Sequence, residues 1–123
     1  MPPGWCGSVY DENGNLCPIL TAFANIAAGT TDGSIVAAVT GKKIRILGYT
    51  VMCGATATTF VFNSKPAGAG NAIGMTLQNA ANGGVERSAS AGTFLFQTNP
   101  GEGLTATTGA GSTVGVNVTY IAT

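Results

Sequence analysis

The chain contains no histidine, only five acidic residues and three cysteines, which leaves few chemistries open to it. Without an imidazole, the Ser-His-Asp and Cys-His arrangements of nucleophilic catalysis are excluded. The acids are Asp11, Glu12, Asp32, Glu86 and Glu102. Glycoside hydrolysis needs two carboxylates facing each other across a cleft. Glu86 and Glu102 are the pair to weigh, but both stand in Gly-, Asn- and Ser-containing stretches where solvated acids are ordinary. Cys6 and Cys17 lack the short paired spacing of a structural zinc site, and the distant Cys53 does not complete one. The run Asp11-Glu12-Asn13-Gly14-Asn15 alternates oxygen ligands as a calcium loop does. Its glycine comes at the fourth place rather than the sixth and no closing glutamate follows, so turn chemistry explains it better. Gly68, Gly70 and Gly74 miss the dinucleotide spacing. Asn117-Val118-Thr119 has the form of a glycosylation acceptor but falls within a strand pattern. These residues predict no catalytic site, no metal, no cofactor and no small-molecule substrate; the chain is not expected to be an enzyme.

The 123 residues that must position any other kind of site make one domain. A chain of this size buries roughly two-thirds of its unfolded surface and folds without a metal or disulfide. Only 8% of the residues are charged, against about 25% in ordinary globular chains. Solubility then rests on Thr, Ser, Asn and Gly, and a neutral surface favours association. Five cations balance five acids, which argues against nucleic acid, whose phosphates demand a basic footprint. No apolar run approaches the ~20 residues of a membrane span. The N-terminus lacks the basic and apolar regions of a signal peptide, so a cytosolic site of synthesis is expected. In that compartment an odd cysteine count makes free thiols the default over a Cys6–Cys17 bridge.

Short β-type runs punctuated by Gly, Asn and Asp cover residues 20–26, 34–40, 43–53, 58–64, 72–77, 93–98, 103–108 and 113–122, with a weaker run at 85–88. In the last, Val114, Val116, Val118 and Tyr120 alternate with Thr113, Gly115, Asn117 and Thr119, the pattern of a half-buried strand. The Ala-rich stretch 22–28 has helical propensity, weakened by Thr21, Phe23, Asn25 and Gly29. Eight short strands and no helical period predict an all-β, two-sheet, jelly-roll-like sandwich spanning residues 19–123.

The centre of this pattern is the stretch 41–64, two β-rich runs joined by Gly54-Ala55-Thr56-Ala57. Ile44 and Ile46 point to one face, Lys43 and Arg45 to the other, while Leu47, Tyr49, Val51 and Cys53 then continue on the face begun by the cations. This predicts a strand covered on both sides beyond Leu47, by a second layer or a partner chain, and marks Leu47, Tyr49 and Val51 as candidate interface residues. Residues 1–18 differ, with three of the five prolines and the only tryptophan. They predict an extended N-terminal arm with Trp5 and Tyr10 as anchors, seated either on its own domain or on a neighbouring subunit.

From about Thr30 onward, the phrases Gly41-Lys42-Lys43-Ile44-Arg45-Ile46-Leu47-Gly48-Tyr49, Thr59-Phe60-Val61-Phe62, Met75-Thr76-Leu77, Ala81-Asn82-Gly83-Gly84-Val85, Gly101-Glu102-Gly103-Leu104 and Val114-Gly115-Val116-Asn117-Val118-Thr119-Tyr120 resemble the small jelly-roll head decoration, or cement, proteins of tailed bacteriophages. The likeness covers about three-quarters of the chain. It implies a structural subunit, often trimeric, that assembles in the host cytoplasm onto the capsid surface and locks the shell by bridging major capsid proteins. It carries no catalytic residues over. The same module is similar to parts of phage tail and fibre proteins, so the alternative is a binding module for a host surface glycan.

Overall fold

The computed structural model describes residues 8–10, 13–90 and 92–123. Every regular element among them is a strand, and two five-stranded antiparallel sheets pack face to face. The first contains β3 (Leu20–Ile26), β5 (Ile44–Cys53), β9 (Gly84–Ser88), β10 (Phe96–Gln97) and β12 (Val114–Ala122). The second contains β4 (Gly33–Val36), β6 (Thr58–Lys65), β7 (Asn71–Ala72), β8 (Leu77–Asn79) and β11 (Gly103–Thr108). Pairing runs from the outside of the chain inward: β3 with β12, β4 with β11, β5 with β9 and β10, and β6 with β7 and β8. A long hairpin rolled in this way is the jelly roll. The expected strand at 72–77 is two short strands, β7 and β8, both on β6, and the weak run near 85 is a full five-residue strand.

Between the sheets lies the core. Ile44, Ile46, Val51, Phe60, Leu104, Ala106 and Val114 are fully buried there. Phe60 meets Phe62 edge-on at 4.8 Å, and Phe62 lies 5.1 Å from Tyr49 and 5.2 Å from Phe96. Such ring contacts add about 0.5–1.5 kcal/mol each beyond area burial.

The anomalous alternation of β5 has a local cause. On β12, Thr119 lies opposite Gly48 and Tyr120 opposite Ile46, so Leu47 has no partner in that strand. It is the extra residue of a β-bulge. A period-2 strand that gains one residue changes face. Ile44 and Ile46 point inward before the bulge, and Tyr49, Val51 and Cys53 point inward after it. The outer edge of β5 changes hands at the same place, from β10 at Arg45 and Ile46 to β9 at Gly48 through Met52. This corrects the expectation of a strand covered on both faces: one face is core throughout, and Met52 on the other is 54% exposed.

The segment expected to be an extended arm is partly a hairpin. β1 (Ser8–Tyr10) pairs antiparallel with β2 (Leu16–Pro18), and Gly14 turns the chain at φ 80°. β2 packs against β12. Cys17 and Ile121, the two buried apolar residues outside the main core among the described residues, belong to these strands. Cys17 and Cys53 are free thiols, whereas Cys6 lies outside the described residues.

Two consequences follow from the core and the bulge. Phe60→Ala, with no room to relax into solvent, should cost about 3–5 kcal/mol in urea unfolding. Deleting Leu47 forces one half of β5 to expose its core residues and should abolish the cooperative transition. Leu47→Ala keeps the register and should shift the urea midpoint only slightly.

Candidate interaction face

The sequence-based interface candidates separate cleanly. Tyr49 is 8% exposed and Val51 is 0% exposed, both within this subunit's own core, so neither is available to a partner. The bulge at Leu47 put them there, and Leu47 itself is half-buried. The backbone of Tyr10 pairs with Leu16 in the β1–β2 hairpin. Trp5 lies outside the described residues.

The cations and acids are spread out. Arg45 stacks over the Phe94 ring at 4.4 Å, and its Nε donates to Gln97 Oε1 at 3.1 Å. Glu86 is exposed on β9 in the first sheet. Glu102 precedes β11 in the second, where its Oε1 accepts from Ser64 Oγ at 2.7 Å and Asn99 Nδ2 at 3.3 Å. The two carboxylates therefore serve different sheets and do not face each other across a cleft. Among the described residues no three of His, Cys, Asp or Glu gather as a metal site would require. No helix among them is long and apolar enough to cross a membrane.

The outer face of the second sheet is engaged by its own chain. Asp32, in the left-handed turn before β4 (φ 53°), is the hub. Its Oδ1 accepts from Asn63 Nδ2 at 3.0 Å and Thr105 Oγ1 at 3.1 Å, and its Oδ2 accepts from the Gly70 N–H at 2.9 Å. Asn63 also donates to Thr107 Oγ1 at 2.9 Å, and the Lys65 ammonium donates to the carbonyls of Pro66 and Gly68. The loop after β6 is thereby clasped onto β6, β11 and the β4 turn. Gly70 permits the approach, because a Cβ there would overlap the Asp32 carboxylate. The Gly70 N–H foremost, then Thr105, Asn63 and the charge of Lys65, hold the Asp32 carboxyl below its ordinary value of 3.8, against the opposing effect of its desolvation.

The outer face of the first sheet has no such cover among the described residues. Register places Thr21, Thr119, Gly48 and Ser88 in one row across β3, β12, β5 and β9. Phe23, Asn117, Thr50 and Glu86 form the next, then Asn25, Gly115, Met52 and Gly84. Phe23 is 76% exposed and Met52 is 54% exposed. Between them lies a shallow depression of about 340 Å³ floored at Gly115. Glu86 is the one charged residue in these three rows. An apolar ring and a thioether thus stand exposed on a nearly uncharged, polar-rimmed sheet face, the kind of surface that makes a candidate for interaction.

The signal for Phe23 was present in the sequence. In β3 the small residues Ala22 and Ala24 alternate inward with Ile26, and Thr21, Phe23 and Asn25 alternate outward. An aromatic residue sharing its face with Thr and Asn, rather than with the aliphatic residues, is a ring placed toward solvent.

A carboxylate whose folded pKa is lowered contributes stability above its unfolded value, and loses it as pH falls through the folded pKa. Asp32 should therefore contribute fully near neutrality and progressively less below about pH 4. Asp32→Asn should remove that part of the acid dependence when urea midpoints are measured from pH 6 to pH 2. It should also lower the midpoint at pH 6, because an amide cannot accept on both sides of the clasp.

Comparison of the chain with protein-family models, with curated proteins and with solved structures found no match.

Proposed function

We propose that this protein is a structural subunit of a virion, a jelly-roll decoration protein that attaches to the head of a tailed bacteriophage and stabilises it by bridging major capsid proteins. The observation that carries this reading is the broad, nearly uncharged outer face of the β3–β12–β5–β9 sheet, where Phe23 and Met52 stand exposed. It is a surface suited to contact, and no metal-ligand cluster accompanies it among the described residues. The fold agrees with the one that the sequence resemblance implies. A subunit that binds only the assembled shell opposes its opening by mass action. Several weak contacts made together by an oligomer reach useful avidity. The resemblance implies a trimer, while the corrected reading of β5 moves the argument for self-association from Leu47, Tyr49 and Val51 to the exposed sheet face.

The alternative, a tail or fibre module for a host glycan, draws support from one arrangement. Phe23 stands beside Asn25 and Asn117, with Thr50 and then Glu86 on the next two strands of its row, an apolar ring next to amides with a hydroxyl and a carboxylate beyond. Jelly rolls serve as lectins as well as capsid proteins, and function follows the site rather than the fold.

Co-sedimentation with phage heads lacking decoration tests the first reading. The full chain should pellet with heads and raise their thermal disruption temperature. Phe23→Ser and Trp5→Ala should each weaken attachment about tenfold or more, the ~1.4 kcal/mol or greater loss expected for an interface anchor. Deleting residues 1–18 should also weaken attachment. It removes the hairpin packed on β12 and should lower stability while leaving a folded sandwich. A glycan-array signal lost in Phe23→Ser, with no binding to heads, would establish the alternative instead.

A further inference from the structure

We infer that two copies of this chain join edge to edge through β3, antiparallel and two-fold about Phe23, so that the first sheet runs continuously across both. This goes beyond the decoration reading and does not depend on it.

The phase of the backbone hydrogen bonds carries the inference. Gly54 N donates to Thr113 O at 3.1 Å, one step beyond the Cys53↔Val114 pair. In an antiparallel ladder the N–H and C=O of one residue point to the same side, and successive residues alternate. Thr113, Gly115, Asn117 and Thr119 therefore direct their backbone groups toward β5, and Val114, Val116 and Val118 direct theirs toward β3. Cys53 N to Gly83 O at 2.9 Å and Ala89 N to Leu47 O at 2.8 Å keep the same phase on the far side of β5. The β3 partners of those valines are Ile26, Ala24 and Ala22, which spend their backbone groups on β12. Thr21, Phe23 and Asn25 are left to aim theirs at the far edge of β3, which no strand among the described residues pairs.

Among the described residues that edge lacks the usual protections. β3 has seven residues with no charge and no proline, and its pairing with β12 has no register shift. Natural sheets rely on such features to keep edges from pairing. A two-fold axis through Phe23 sets it opposite Phe23 of the second copy and Thr21 opposite Asn25. All three outward-facing residues then form hydrogen-bonded pairs at once. An axis through Ala22 or Ala24 also sets outward residues opposite one another, Thr21 with Phe23 or Phe23 with Asn25, but leaves the third outward residue without a partner within β3. On the exposed face the central rings adjoin, flanked on each side by a hydroxyl against an amide, a favourable cross-strand set. No like charges meet anywhere along the strand. The contact is isologous and closes on itself.

Sedimentation of the full chain and disulfide trapping test this. The unsubstituted chain should be dimeric at tens of micromolar. Phe23→Cys should form a covalent dimer on mild oxidation, because the Cα atoms of a hydrogen-bonded pair stand about 5.5 Å apart, within disulfide range. Thr21→Cys and Asn25→Cys should each fail to cross-link alone beyond the unsubstituted chain, with its own Cys6, Cys17 and Cys53, but should cross-link when mixed. Asn25→Pro deletes an outward N–H and leaves the β12 ladder intact. It should raise the dimer dissociation constant at least tenfold with an unchanged circular dichroism spectrum. A monomeric unsubstituted chain overturns the inference, and so does an oligomer that neither traps through Phe23→Cys nor responds to Asn25→Pro. Slow amide exchange at Thr21, Phe23 and Asn25 in a monomer overturns it too, by showing that residues 1–7 of the same chain cover the edge.

Discussion

Leu47 has no partner in β12, and the side of β5 that faces the core depends on this. The strand carries two apolar sets out of phase by one residue: Ile44 and Ile46, then Tyr49, Val51 and Cys53. A regular strand can bury only one of them, since side chains alternate with a strict period of two. One inserted residue turns both inward, and the whole aromatic and aliphatic layer between the sheets assembles on the result. Tyr49 reaches Phe62 and Phe62 reaches both Phe60 and Phe96 only because the second half of β5 has been turned over. The bulge also marks where β10 hands the outer edge of β5 to β9. Two short strands thereby share one long neighbour without colliding.

With one face of each sheet committed to the core, the two outer faces have different fates. On the second sheet, Asp32 draws Asn63, Thr105 and Gly70 around one carboxylate and holds a loop down. Burying so many polar atoms is tolerable because they satisfy one another. On the first sheet, Thr, Asn and Gly alternate outward with Phe23 and Met52 among them, and no described segment lies over them. In a protein with 8% charged residues, such a face is hydrated mainly by hydroxyls and amides, with Glu86 the one charge in its three rows. Those same groups, weakly hydrated compared with charges, are readily given up to a contact. The contact reading of this protein rests on that contrast between a face used internally and a face left open.

How much of this was legible beforehand varies by element for physical reasons. The absence of histidine is a property of composition, and no folding changes it, whereas the separation of Glu86 from Glu102 belongs to the fold. β12 announced itself because one of its faces is buried along most of its length, so Val114, Val116 and Val118 alternate plainly with polar residues. β6 did so through Phe60 and Phe62. β7 and β10 are two residues each, held by their neighbours rather than by propensity, and strands so short leave little periodic trace. The Ala22–Ala24 alternation was ambiguous because alanine suits a helix as well as a strand facing a tight interior.

By itself, then, the sequence determined that the chain is an all-β sandwich and that it holds no imidazole, because residue inventory and period-2 patterning are local properties. Tertiary structure alone decided how the two halves of β5 face and which strands end the sheets. The pairing of Thr119 with Gly48 and of Tyr120 with Ile46, residues distant in the chain, is what makes Leu47 a bulge and turns Tyr49 and Val51 from apparent surface into core. The position of β3 at the end of the β10–β5–β12–β3 order, likewise set by long-range pairing, is what leaves Phe23 exposed on an edge that no described strand pairs. Register between distant strands is fixed by the collective burial of a whole face, and no single run of residues contains it.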